Sequence, residues 1–255
     1  MDSNRPIRQP QAFSLIELLV AASITSILAV LLAGTAWSVY KKSSLAVSAN
    51  NIRQLSSGGA AYLADNNYVF WKYREERGTN GSVWWFGYET RQSIYQTPEG
   101  QRSFDPNDGP LAGYVPAGVR PDPSFSMAGK AFKPKYRNGY LGIGYNTLLV
   151  GTNASYWSLP KPGEIVVFAT SAQVNTFQPP ASSKNPMLEE YYGLSLNDVT
   201  VHFRHGGYAM AGFADGSAGF VPMDKSTLDG RAPKAAIGRF APVGSDRHLR
   251  PQTNQ

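Results

Sequence analysis

The apolar positions of the chain are concentrated at its start. Residues 12 to 32 read AFSLIELLVAASITSILAVLL, and Glu17 is the one charged residue among them; the next charge is Lys41. Phe13 to Trp37 is 25 residues, about 37 Å as a helix and enough to cross a bilayer core of about 30 Å. Past Lys41 and Lys42 the pattern becomes one-sided. Leu45, Ile52, Leu55, Tyr62 and Leu63 recur at spacings of seven, three, seven and one, an amphipathic stripe. Ala46, Ala49 and Ala60 favour helix, Gly58 and Gly59 weaken it, and Asp65-Asn66-Asn67 ends it with turn chemistry. One helix over residues 13–66 is the prediction. Its repeat is too short and interrupted for a coiled coil.

After Tyr68 the period changes to short apolar or aromatic strings separated by Gly, Pro and Asn. VFWKY (69–73), SVWWFGY (82–88), YLGIGYN (140–146), EIVVFAT (164–170), VTVHFRH (199–205) and YAMAGFA (208–214) read as strands. Asp215-Gly216 is a two-residue turn signal that makes 204–222 a hairpin, with AGFV as the return strand. Residues 96–139, rich in Pro, Gly and Asp, read as a long surface loop. The expected fold class is therefore α+β: one long N-terminal helix packed on an antiparallel sheet domain with long loops.

Composition sharpens this. Of 255 residues, 25 are Gly and 18 Pro, aromatics make up 12% and charged residues only 16%, which favours a loop-rich β domain over a helical bundle. The net charge of +6 raises nucleic acid as a partner, but Lys and Arg are scattered without a dense run, so none is expected. Residues 226–255, with Pro233, Pro242 and Pro251, read as a flexible basic tail. Cysteine is absent, which excludes disulfides, thiolate catalysis and Cys-based zinc sites.

Candidate chemistry is sparse. His202, His205 and Asp215 are the only potential catalytic or metal cluster, and residues three apart on a strand face opposite ways. A structural hydrogen bond from the His205 ring, to a loop backbone or to Asp215, is the better reading. No nucleophile-elbow serine and no phosphate-cradling glycine loop is present, so no enzymatic activity is expected. Asp105, Asp108 and Gly109 resemble part of a calcium loop without its remaining ligands; paired Asx turns are the plainer account, and no other cofactor is implied. Trp71, Trp84, Trp85 and Trp157 could bind a glycan or pack in the core.

Glu17 remains to be explained. A carboxylate inside a membrane-length segment is costly and needs a partner. A cleaved secretory signal has a shorter apolar core, and a plain anchor accounts for everything except Glu17. QAFSLIELLVAASITSIL resembles the prepilin signal of type IV pilins and type II secretion pseudopilins, usually written GFTLIELLV. The resemblance implies cleavage by a prepilin peptidase between Ala12 and Phe13, N-methylation of Phe13, and a Glu17 that pairs with the free amine of a neighbouring subunit during assembly. Ala12 stands where the family usually has Gly. Arg204 to Pro222, RHGGYAMAGFADGSAGFVP, also resembles the C-terminal H-X9-DG motif of bacterial prepilin-like proteins, with His205, Asp215 and Gly216 in register; Met210 and Ser217 depart from common choices there.

The expected organisation is a leader (1–12), a transmembrane half-helix (13–37), a periplasmic half-helix (38–66), a β-rich pilin-like domain (67–225) and the tail (226–255). Arg5 and Arg8 before the apolar run place the N-terminus in the cytoplasm, with the globular domain in the periplasm. The implied function is a structural subunit of a pilus-like or secretion pseudopilus filament. Its partners would be the prepilin peptidase, other pilin-like subunits and an inner-membrane assembly platform. A membrane-anchored binding protein for a glycan or exported substrate is the alternative, and an anchored hydrolase a distant third.

Overall fold

The computed structural model of the protein describes residues 14–116, 118–125, 130–242, 244–245 and 248–250. The chain divides into two units, up to Ser43 and from Ser44 onward. The helix α1 runs over Leu15–Asp65 and is long and apolar enough in its first half to cross a membrane. In the first unit every described side chain is exposed. Its hydroxyls bond back into the helix: Ser23 to Leu19 O (2.7 Å), Ser26 to Ala22 O (2.7 Å) and Thr25 to Ala21 O (2.9 Å). Polar groups satisfied within their own helix need no water, as a span in lipid requires. Trp37 stacks on Tyr40 and takes the Lys41 ammonium over its ring at 5.3 Å, the amphipathic composition that favours a membrane–water boundary.

In the second unit α1 turns one face inward. Ile52, Leu55 and Leu63 are buried as their spacing predicts, Leu45 and Tyr62 partly so. Small residues share that face. A methyl at Gly58 would lie 2.7 Å from Val115 Cγ2, and one at Gly59 2.9 Å from the Trp71 ring. The two glycines expected to weaken the helix are thus positions where the domain approaches it closely.

The strands β1 (Arg74–Glu76), β2 (Gly81–Trp84) and β3 (Gly87–Thr90) form an antiparallel meander. Next comes the short helix α2 (Arg91–Gln96), whose N-cap Thr90 accepts from the Ser93 N–H. Then follow β4 (Ile143–Asn146), β5 (Val166–Thr170), β6 (Gln173–Asn175), β7 (Met187–Glu189), β8 (Gly193–Leu194), β9 (Val201–His202), β10 (Tyr208–Phe213), β11 (Ala218–Pro222) and β12 (Ile237–Gly238). The main sheet has the order β11-β10-β5-β4-β8, antiparallel except for β8 alongside β4, while β6 pairs with β7 and β9 with β12. The fold is α+β, as the sequence pattern indicated. Met210 and Gly212 on β10 face α1, whereas Ala209 and Ala211 belong to a second apolar cluster with Val201 and Phe203. The sheet is therefore covered on both faces.

Several expectations need correction. Residues 69–73 form no strand: Val69 makes one isolated bridge to Ser155, and Phe70 and Trp71 are core residues. Residues 82–88 are not one strand but the two arms of β2 and β3, turning at Trp85-Phe86. Residues 97–139 hold no strand among those described, as expected, and the strand read at 140–146 begins only at Ile143; yet the loop is not superficial. Leu111, Val115, Phe125, Phe132 and Tyr136 are buried, and buried carboxylates hold their backbone. Glu89 accepts from Arg102 Nε and Nη2 (2.9 Å each), from Ser93 Oγ (2.8 Å) and from the Tyr136 hydroxyl (3.0 Å). Glu190 accepts the Lys135 and Leu141 N–H groups. A loop without strands can be core when charged acceptors replace its missing ladder partners. Nor is the stretch from residue 226 a free tail: Ile237 is fully buried, β12 pairs with β9, and Asn146 Nδ2 donates to Leu249 O at 3.0 Å. Residues 251–255 lie outside the described residues.

Candidate functional site

Two regions carry the sequence-derived site residues. At the N-terminus, Ala12 and Phe13 lie outside the described residues. Glu17 is exposed on the first turn of α1, where its Oε2 accepts the Ser14 N–H (2.9 Å) while its own N–H donates to Ser14 Oγ (3.2 Å). This is a capping box, two helix-end donors satisfied reciprocally. The S-x-x-E spacing was readable in the sequence and was overshadowed by the charge. It means that Glu17 has a partner of its own within one turn, and that any intersubunit amine competes with an amide hydrogen for the same carboxylate.

The second region is where the sheet meets α1. His205 does not pair with Asp215. Its Nε2 lies 3.2 Å from Ser48 Oγ on the helix, and Ser48 Oγ donates to Asp122 Oδ2 at 2.7 Å. The serine hydrogen is spent on the carboxylate, so His205 Nε2 is the donor. Arg204 completes the cluster. Its Nη2 donates to Asp122 Oδ2 and to Gly142 O (2.8 Å), its Nε to Ser124 Oγ (2.8 Å), and its Nη1 faces His202 Nδ1 at 3.1 Å. Ser124 in turn donates twice to Asp122 Oδ1. The Arg204 and Asp122 side chains are almost wholly buried. Burial pushes the Asp122 carboxyl up, but Arg204 and the hydroxyl donors outweigh it and hold it below its usual value. Burial, reinforced by the Arg204 charge, holds His202 well below the ordinary histidine value and brings His205 down to about 4. Both histidines are thus neutral hydrogen-bonding groups at pH 7.

The Asp215-Gly216 turn lies farther along the same helix face. Antiparallel pairing of β10 with β11 confirms the hairpin. Its loop is longer than expected: Phe213 N–H bonds to Ser217 O across three residues, with Gly216 at φ +86°, the arrangement of a type I turn closed by a left-handed residue. Asp215 Oδ1 accepts the Ser217 N–H and hydroxyl (2.9 and 2.6 Å). A methyl at Gly216 would sit 3.2 Å from Ala60 Cβ, and one at Gly212 would overlap Ser56 Oγ. His205, Gly212 and Gly216 therefore meet α1 at Ser48, Ser56 and Ala60, positions eight and four apart on one helical stripe.

The remaining candidates separate cleanly. Asp105 Oδ1 accepts the Asn107 N–H (2.9 Å), an Asx turn, and both Asp108 oxygens accept from the Arg77 guanidinium, so the acidic loop spends its oxygens on protein donors. Among the described residues no group of three or more His, Asp or Glu is arranged to hold a metal. Trp71 and Trp85 are core, Trp84 lies half-buried under Arg74, and Trp157 stands exposed.

Comparison with known proteins adds one finding. Residues 7–33 match the prokaryotic N-terminal methylation motif, a segment that contains Ala12, Phe13, Ser14 and Glu17. No curated protein and no solved structure matches the chain. The chain carries a prokaryotic N-terminal methylation motif of the prepilin type at the head of the one helix, among the described residues, that is long and apolar enough to cross a membrane.

Proposed function

We propose that the protein is a structural, pilin-like subunit. A prepilin peptidase cleaves it between Ala12 and Phe13 and methylates Phe13, and it then polymerises through α1 into a pilus-like or secretion pseudopilus filament. The observation that carries this reading is the methylation motif over residues 7–33, placed where an exposed apolar helix begins. The subunit waits in the inner membrane with its globular domain in the periplasm. Glu17 then exchanges its Ser14 partner for the new amine of an adjacent Phe13, so that each subunit's charge is neutralised only in the correct axial register. His205, Asp215 and Gly216 serve this function structurally, by fixing how α1 lies on the sheet. Polymerisation demands that geometry, because the helix is the part that stacks.

N-terminal mass analysis of protein from membranes tests the processing step. The expected species begins at N-methylated Phe13, whereas protein that keeps Met1 throughout would overturn the route. Glu17→Ala should still insert in the membrane and lose cross-linked oligomers; oligomers unchanged in yield would remove Glu17 from assembly.

A further inference from the structure

Just beyond the end of α1, three rings are gathered at the surface. Tyr68 and Trp157 have centroids 4.6 Å apart at 48°, Tyr156 meets Trp157 edge-on at 5.4 Å, and Tyr68 lies 5.8 Å from Tyr156. Trp157 is 70% exposed and Tyr68 36%. The backbone beneath closes α1: Asn67, at φ +54°, takes the left-handed position that commonly ends a helix, and Tyr68, at φ +57°, extends that region to a residue whose ring rarely occupies it. Surrounding bonds hold it there. Tyr68 N–H donates to Leu63 O (2.8 Å), Tyr156 N–H to Tyr68 O (2.8 Å), and Val69 bridges Ser155. Tyr68 is held in this conformation with its side chain partly exposed beside Trp157 rather than in the core.

Charge narrows the occupant. The two segments that build the cluster, NNYV (66–69) and VGTNASYWS (150–158), contain no Asp, Glu, Lys or Arg. Nucleic acid stacks on aromatics only where a basic groove tracks its backbone. Exposed aromatics of this kind also anchor protein partners, and the cross-linking arm of the test below separates that occupant. A pyranose ring suits what is here: its C–H face packs on an aromatic face and its hydroxyls meet a polar, uncharged rim of Tyr, Ser and Asn. We infer that Tyr68, Tyr156 and Trp157 form a binding platform for a neutral polysaccharide. The platform is independent of Glu17 and of N-terminal processing.

The test is co-sedimentation of the full chain, held in mild detergent micelles, with amorphous cellulose and with curdlan, using alginate beads as the acidic control. The wild type should sediment with at least one neutral glucan and not with alginate. Trp157→Ala should weaken that binding about tenfold, equivalent to about 1.4 kcal/mol, Trp157→Phe less, and Glu17→Ala not at all. Fluorescence of the buried Trp71 and Trp85 checks that each variant is folded. Sedimentation that is absent, equal in Trp157→Ala, or shared with alginate would overturn the platform. So would cross-links from position 157 to a second copy of the chain, which would make it a subunit interface.

Discussion

His205 illustrates how one side chain can tie stability to pH. Its ring is lowered to about 4 by burial and by Arg204, with Asp122 opposing, against an ordinary value of about 6.5 in the unfolded chain. Between those two values the unfolded chain binds the proton and the folded one does not, so stability falls as pH drops from about 6.5 and levels off near 4. His202, depressed in the same direction, adds to the slope. Protonation would leave the His205 bond to Ser48 formally intact, since Nε2 already donates. The cost comes from placing a second cation beside Arg204 in a partly buried site. His205→Gln keeps a donor near Ser48 Oγ and removes the titration. Thermal melts of the full chain between pH 4 and pH 8, followed by the fluorescence of buried tryptophans, should show a shallower fall in Tm for the variant, the remainder being due to His202. Parallel curves for the two proteins would contradict the assignment.

At the scale of elements, the decisive contact is the crossing of β10 over α1, where glycine and serine let two backbones come close. A methyl at Gly212 would overlap Ser56 Oγ and lie 3.2 Å from Ile52 Cγ2, so Gly212→Ala should destabilise the domain by about 1–3 kcal/mol, the range for overpacking. Ser56→Ala removes the oxygen in the way and loses only a bond to Ile52 O within the helix. The double variant should therefore recover most of the loss, a non-additivity measurable by chemical denaturation; additive losses would show that the crossing has room to spare. This crossing also marks the limit of what the sequence made legible. The helix stripe and the β10–β11 hairpin were readable because their periods extend over many residues. Strands β6 to β9 are two or three residues long, too short for an alternating pattern to register, and β1 is Arg-Glu-Glu, with no apolar signal at all. In the site, Glu17 and His205 were found from local motifs. Their partners divide by distance: Ser14 lay within one turn and could have been read, whereas Ser48 and Asp122 are 157 and 83 residues from His205 and only the folded chain brings them together.

At the scale of the whole molecule, the helix belongs to two different environments. From residue 14 to Ser43 no described side chain is buried, and burial begins at Ser44, with Ser48, Asn51, Ile52 and Leu55 following. The globular unit thus packs only the second half of α1 into its core. The first half, apolar and overlapping the methylation motif, is not part of the domain's core and is available for the insertion and assembly proposed above. A chain starting at Ser44 should consequently fold without detergent and retain a cooperative unfolding transition, with its pH dependence still set by His205 and His202. A chain starting at Ser57 loses Ser48, Ile52, Leu55 and Ser56. That uncovers the helix-facing side of β10 and removes the Ser48 donor from the buried Asp122, and deleting several core side chains at about 2–5 kcal/mol each exceeds what a single domain holds in reserve. Near-UV circular dichroism and urea titration of the two fragments decide the matter. If the Ser44 fragment proved molten, the domain would need the membrane half of α1 for its own stability, and the division of labour along the helix would be wrong.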